Sequence, residues 1–180
     1  MTGRVDISRN RNTLAYPRKV QIKRVLWGLC NPIFRYSPRP FWRLRCTMLR
    51  GFGARIGQDV HVFPTVRITM PWNLTIDDQA AVGDCAILYA LGPIHIGARA
   101  TVSQYAHLCA GSHDWRDPAR PLLRDPITIG PDAWVCADAF VGPGVTIGAG
   151  AILGARAVAT KDLPADHIGF GNPMQIRAQQ

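Results

Sequence analysis

Five histidines are available for proton chemistry at neutral pH: His61, His95, His107, His113 and His167. Imidazole has an unperturbed pKa close to 7, so it can take a proton from one reacting group and return it to another. His113 differs from the other four in its setting. It stands in Ala110-Gly111-Ser112-His113-Asp114-Trp115 and opens a stretch, Asp114 to Pro126, that is polar, charged and rich in proline. Asp114 follows directly, to orient the imidazole, to bind a hydroxyl or, as aspartates commonly do, to open a turn. Trp115, Arg116, Asp117, Arg120, Arg124 and Asp125 could line a substrate site or form a solvated loop.

The elements that position this stretch announce themselves by a period of six. The run Ile129-Gly130-Pro131-Asp132-Ala133-Trp134 is followed by hexads opening at Val135, Val141, Ile147 and Leu153. An aliphatic residue opens each unit, a small one usually follows, and Ala or Val holds the fifth place. Neither helix nor ordinary sheet has this period. It marks one supersecondary unit stacked on copies of itself, each unable to bury its apolar face alone. Upstream the markers are Ile56, Val62, Ile68 and Leu74, with a slip of two to Ile76, Val82 and Leu88, and a second slip at Gly92-Pro93 to Ile96, Val102 and Leu108. In this frame Leu108 and Ser112 point inward and His113 faces out at a corner. Stacking does not require residues 114–126, so the break in the repeat is where function is expected.

Charge separates the repeat from what precedes it. The chain has 180 residues, a net charge of +9, twelve aspartates and no glutamate. Between Asp6 and Asp59 no acid occurs, while twelve arginines and lysines do. Residues 1–15 read as a flexible lead-in. Lys19 to Phe34 and Phe41 to Leu49 read as two basic helices with tryptophans, parted by Ser37-Pro38-Arg39-Pro40. Such helices could lie on an anionic membrane, or they could cap the open end of the solenoid. No recognition helix or aromatic stacking platform points to nucleic acid. Five cysteines without a CxxC pair suit a reducing compartment, and no secretory signal or membrane span is evident. A cytoplasmic place is expected, with the inner face of the cell membrane as its refinement. The expected organisation is a basic extension over 1–55, the solenoid over 56–162 with its external loop at 114–126, and a cap or tail over 163–180.

The ordered set of motifs carries a family resemblance. The hexads resemble the left-handed parallel β-helix of hexapeptide-repeat acyltransferases, an all-β solenoid here of about five coils from Ile56 to about Pro173. Ala110-Gly111-Ser112-His113-Asp114-Trp115, Pro126-Ile127-Thr128-Ile129-Gly130, Val141-Gly142-Pro143-Gly144-Val145-Thr146, Val158-Ala159-Thr160-Lys161-Asp162 and Gly171-Asn172-Pro173 are together similar to the sugar O-acetyltransferase branch. Pro71-Trp72-Asn73-Leu74 and the basic leader resemble its colanic-acid and exopolysaccharide group.

That resemblance implies direct acetyl transfer from acetyl-CoA to a sugar or lipid-linked glycan hydroxyl, in a homotrimer whose sites lie between prisms. His113 would be the general base, with Asp114 beside it. Trp115 and Arg116 would meet the acceptor. Ala137, Ala155, Thr160 and Lys161 match donor-binding positions. Trp134 packs beside the pantetheine arm or sits as a corner aromatic at the seam. The family tail is basic, whereas this one carries only Arg177. No serine or cysteine stands beside a suitable base, which favours a ternary complex over an acyl-enzyme. No metal is expected. The rival enzyme on such a prism, a γ-type carbonic anhydrase, needs three histidines around zinc; His107 and His113 point apart on adjacent sides of one coil and could share a metal only across a trimer seam. A non-catalytic scaffold is the other rival.

Overall fold

The computed structural model describes residues 16–179, so the lead-in expected over residues 1–15 lies outside the described residues. The period of six builds a parallel β-solenoid with three faces. Face A carries Arg55–Ile56, Leu74–Ile76, Ile94–Ile96, Ile127–Ile129 and Thr146–Ile147. Face B carries His61–Val62, Ala81–Val82, Thr101–Val102, Trp134–Val135, Ile152–Leu153 and His167–Phe170. Face C carries Arg67–Ile68, Ile87–Tyr89, His107–Cys109, Phe140–Val141 and Val158–Ala159. Five coils are complete, and a sixth begins with the bridge of Leu163 to Ile147 on face A and continues on face B.

The hexad markers form the column inside. Val62, Val82, Val102, Val135 and Leu153 are fully buried one beneath another on face B, and Ile76, Ile96, Ile129 and Ile147 do the same on face A. The fifth-place residues Ala133, Ala139, Val145, Ala151 and Ala157 are buried too, because the chain turns sharply there and only a small side chain fits inside the bend. The turns also explain the preference for aspartate. Asp59, Asp132, Asp138 and Asp166 hold left-handed backbone at the edges, with φ from 53° to 59°, a conformation Asp tolerates better than most residues.

Coil length is not uniform. Ile56 pairs with Ile76 and Ile76 with Ile96, a step of 20 residues, whereas Ile129 pairs with Ile147, a step of 18. The extra residues all fall on the edge where face C passes to face A, hereafter the CA edge: the 3-10 turn Pro71–Asn73, then Ala90 to Pro93, then the long insertion before Ile127. Asn73 ties one such turn to the next, its amide donating to the carbonyls of Ala90 at 2.8 Å and Leu91 at 3.0 Å.

Two helices, α1 (Arg18–Tyr36) and α2 (Trp42–Gly51), close the first coil. Trp27, Phe34 and Leu49 plug the apolar column. Hydrogen bonding makes the plug specific. Each coil donates N–H groups to carbonyls of the coil below, such as Gly57 to Ile76, His61 to Ala80, Phe63 to Val82 and Thr69 to Leu88. The equivalent carbonyls of the first coil therefore have no coil above them, and a buried carbonyl needs a donor. Side chains of the helices supply it. Arg50 Nε donates to Ile56 at 3.0 Å, Cys46 Sγ to Val60 at 3.3 Å, Arg45 Nε to Val62 at 2.7 Å and Trp27 Nε1 to Ile68 at 2.8 Å. Burial pushes the Cys46 thiol up from its ordinary pKa, so it keeps the proton it donates. Arg45 is wholly buried without a carboxylate; its remaining N–H groups meet Ser37 Oγ, the Pro38 carbonyl and the Arg39 carbonyl at 2.6–2.9 Å. At the other end, the antiparallel strand Gln175–Ala178 covers the edge of His167–Phe170, and Met174 packs under it.

Candidate active site

The insertion at the CA edge is not an irregular loop. Ser112–His113 pairs antiparallel with Leu122–Leu123, making a short hairpin that leaves the prism. Ala110 is the last buried residue before it. Ser112 is exposed and not inward, because the hairpin ladder has replaced the coil by that point. His113 faces solvent as its position between hexads required.

One contact sets what His113 can do. Its Nδ1 lies 2.7 Å from the carbonyl oxygen of Arg120. A carbonyl accepts and never donates, so Nδ1 holds the proton and the neutral ring presents the lone pair of Nε2 outward. Arg120 delivers that carbonyl from left-handed backbone at φ 45°, within a turn closed by its own N–H on the Asp117 carbonyl at 2.8 Å. Asp114 is engaged elsewhere. Its N–H donates to the Pro121 carbonyl at 3.0 Å, and its carboxylate accepts the Arg116 N–H at 3.0 Å, so it shapes the turn while a backbone carbonyl fixes the imidazole. Trp115 is 75% exposed at the hairpin tip with the Arg116 guanidinium 4.9 Å above its ring.

The positions matched to donor binding lie on two separate edges. Ala137 and Ala155 stack on the edge between faces B and C, joined by the Arg156 N–H to the Ala137 carbonyl at 3.0 Å. Their methyl groups leave the backbone open to a close-lying chain. Trp134 stands beside them on face B, its Nε1 donating to Ser103 Oγ at 2.8 Å. Thr160 and Lys161 instead follow the last strand of face C, exposed on the CA edge below the His113 hairpin. Within one chain the width of face C, about five residues or roughly 16 Å, parts the two groups. Arg177 lies on the closing strand, over the Phe170 ring at 5.5 Å.

Neighbouring groups that could compete are disarmed. Burial pushes the Cys136 thiol up, so it is not a thiolate beside Ala137. His107 is wedged between Tyr89 and Phe140 in edge-to-face contacts, its buried Nε2 without a hydrogen-bond partner, and burial lowers its pKa. Among the described residues, no three His, Cys, Asp or Glu side chains converge as a metal site within the chain.

The three-faced solenoid is built of hexads, and residues 126–161 match the bacterial transferase hexapeptide (six repeats) family. The chain is 47% identical over 150 residues to a protein of Escherichia coli (strain K12) named as a colanic acid biosynthesis acetyltransferase, WcaF, across 83% of this chain and 82% of that one. It belongs to that family of acetyltransferases. Among solved structures, the hexapeptide-repeat acetyltransferase VCA0836 of Vibrio cholerae, complexed with acetyl coenzyme A, superposes with a TM-score of 0.83 at 22% identity, over 92% of each chain. A galactoside acetyltransferase in complex with coenzyme A gives 0.83 at 22% identity, over 91% of this chain and 83% of that chain. These two likenesses concern the fold.

Proposed function

We propose that this protein transfers acetyl from acetyl-CoA directly to a hydroxyl of a sugar or polysaccharide precursor, with His113 as the general base. The observation that carries the proposal is the Arg120 carbonyl on His113 Nδ1, which leaves Nε2 free to accept a proton. Acetyl-CoA, as co-substrate, supplies an acetyl group already activated as a thioester. Nε2 takes the proton of the acceptor hydroxyl as its oxygen forms the new ester bond, and the same nitrogen returns that proton to the departing sulfur. Atoms balance without a covalent enzyme intermediate. WcaF and the solved relatives support the reaction class: their names give acetyl transfer, and two hold coenzyme A or its acetyl form.

The division of the site between two edges supports a homotrimer. A donor touching Ala137 and Ala155 on one edge, and Thr160, Lys161 and His113 on another, fits a cleft where the CA edge of one prism faces the BC edge of the next. A second wall of this kind also excludes water from an otherwise exposed base. Asp114 would hold the hairpin, with Trp115 and Arg116 toward the acceptor. A cytoplasmic location at the inner membrane face, where the enzyme would meet lipid-linked glycans, belongs to the same reading. It is supported by the acid-free basic segment over 16–55 and by the absence, among the described residues, of a helix long and apolar enough to cross a bilayer.

The test is thiol release from acetyl-CoA across a panel of sugars, nucleotide sugars and lipid-linked oligosaccharides. His113→Ala is expected to lower turnover at least about a hundredfold while melting temperature and oligomeric state stay unchanged. Near-full turnover by that variant would overturn the assignment of the base.

A further inference from the structure

α1 has two apolar sides. One, with Trp27 and Phe34, is buried in the plug. At about 3.6 residues per turn, Ile22, Val25, Leu26, Leu29, Ile33 and Tyr36 fall on the opposite side, and all are open, from 49% for Leu26 to 88% for Tyr36. Phe41 and Leu44 at the start of α2 are exposed as well, at 52% and 40%. An unbroken stripe of this size is uncommon on a water-facing surface and marks a contact. Its borders say what kind. On the same wheel Lys19 flanks one side of the stripe and Arg35 and Arg24 lie beyond the other, all exposed, while Lys23 turns toward the prism with its Nζ 5.6 Å from the centre of the Trp72 ring; no acid occurs between Asp6 and Asp59.

We propose that the outward face of α1 inserts into the headgroup layer of an anionic lipid membrane, so that the capped end of the prism rests on the bilayer and the coils stand away from it. The apolar stripe supplies depth, and the cations on both borders meet lipid phosphates. A protein partner for such a patch would need matching carboxylates on both sides of a narrow groove, whereas an anionic bilayer offers that pattern everywhere. Trp27 and Phe34 anchor the helix from beneath, so the contact adds no ordering cost to α1. In a trimer the three stripes would share one end and bind together with the gain of multivalency. This rests on the membrane-face location proposed above and deepens it by naming which surface meets lipid and how; the catalytic reading does not require it.

The experiment is flotation of the full chain with vesicles of phosphatidylcholine, with and without phosphatidylglycerol. Wild type is expected to float with the anionic vesicles, and part of that binding is expected to survive high salt. Leu29→Asp and Ile33→Asp are each expected to weaken binding roughly tenfold or more. Lys19→Glu with Arg35→Glu is expected to remove the preference for phosphatidylglycerol. Melting temperature and turnover on a soluble sugar should be unchanged in all of them, which separates this outcome from failure of the catalytic reading. Equal flotation of wild type and the Asp variants would overturn insertion, as would binding abolished by salt alone. A change of oligomeric state in Leu29→Asp would show a second copy on the stripe and would also overturn the proposal.

Discussion

His113 gains its chemistry from a neighbour that has no special side chain. Any residue at position 120 offers a carbonyl; what matters is that the backbone there turns left-handed and aims it at Nδ1. A second histidine shows the opposite treatment. His107 is held by Tyr89 and Phe140 with no partner for its Nε2, and burial keeps its folded-state pKa below the ordinary value. The unfolded chain therefore takes up this proton first as pH falls through about 6.5. Stability is full above that pH and is lost below it, down to the folded pKa. His107→Phe keeps the edge-to-face packing and removes the proton site. Its melting temperature should fall less than that of wild type between about pH 7 and about pH 5, and parallel curves for the two proteins would refute this.

At the scale of elements, the helices matter less as amphipathic segments than as carriers of donors. Arg45 alone serves the Val62, Pro38 and Arg39 carbonyls and Ser37. Arg45→Met fills similar volume but leaves buried acceptors unmet, and should cost roughly 3 kcal/mol or more in urea unfolding. Arg45→Lys should recover little, since an ammonium cannot fork toward several carbonyls. This pattern marks the limit of what the sequence conveys. Hexads are legible because every inward position repeats with the same side-chain character, from Ile56 to Leu153. Residues 16–55 left two roles open because Arg45 and Arg50, which cap carbonyls, are spelled like arginines in water. The hairpin escaped notice because two residues on each strand, Ser112–His113 and Leu122–Leu123, are too few to show alternation, and Ser112 consequently looked like an inward position. The partner of His113 left no sequence signal at all, being a main-chain atom.

At the scale of the whole molecule, the residues proposed to hold the donor and the proposed base lie on different edges, and an experiment can exploit that. Ala155→Trp should block the donor edge and His113→Ala should remove the base, so each variant alone is expected to be inactive. If sites form between chains, co-assembly of the two variants at equal amounts should restore activity in about one site of each mixed trimer, roughly a quarter of all sites. A mixture that stays inactive after co-refolding would place each site within one chain.

The uneven coils have a consequence for what such a scaffold can become. Every departure from the 18-residue step, from the turn at Pro71–Asn73 to the whole hairpin before Ile127, is confined to the CA edge. The other two edges keep four residues each, and the inner column keeps its register across a step of 33 residues from Ile96 to Ile129. Length thus varies at that one seam while the strands of all three faces stay in register. The stacked wall and the edge it carries are separately variable, since length changes at that edge while the strand register of the solenoid is kept.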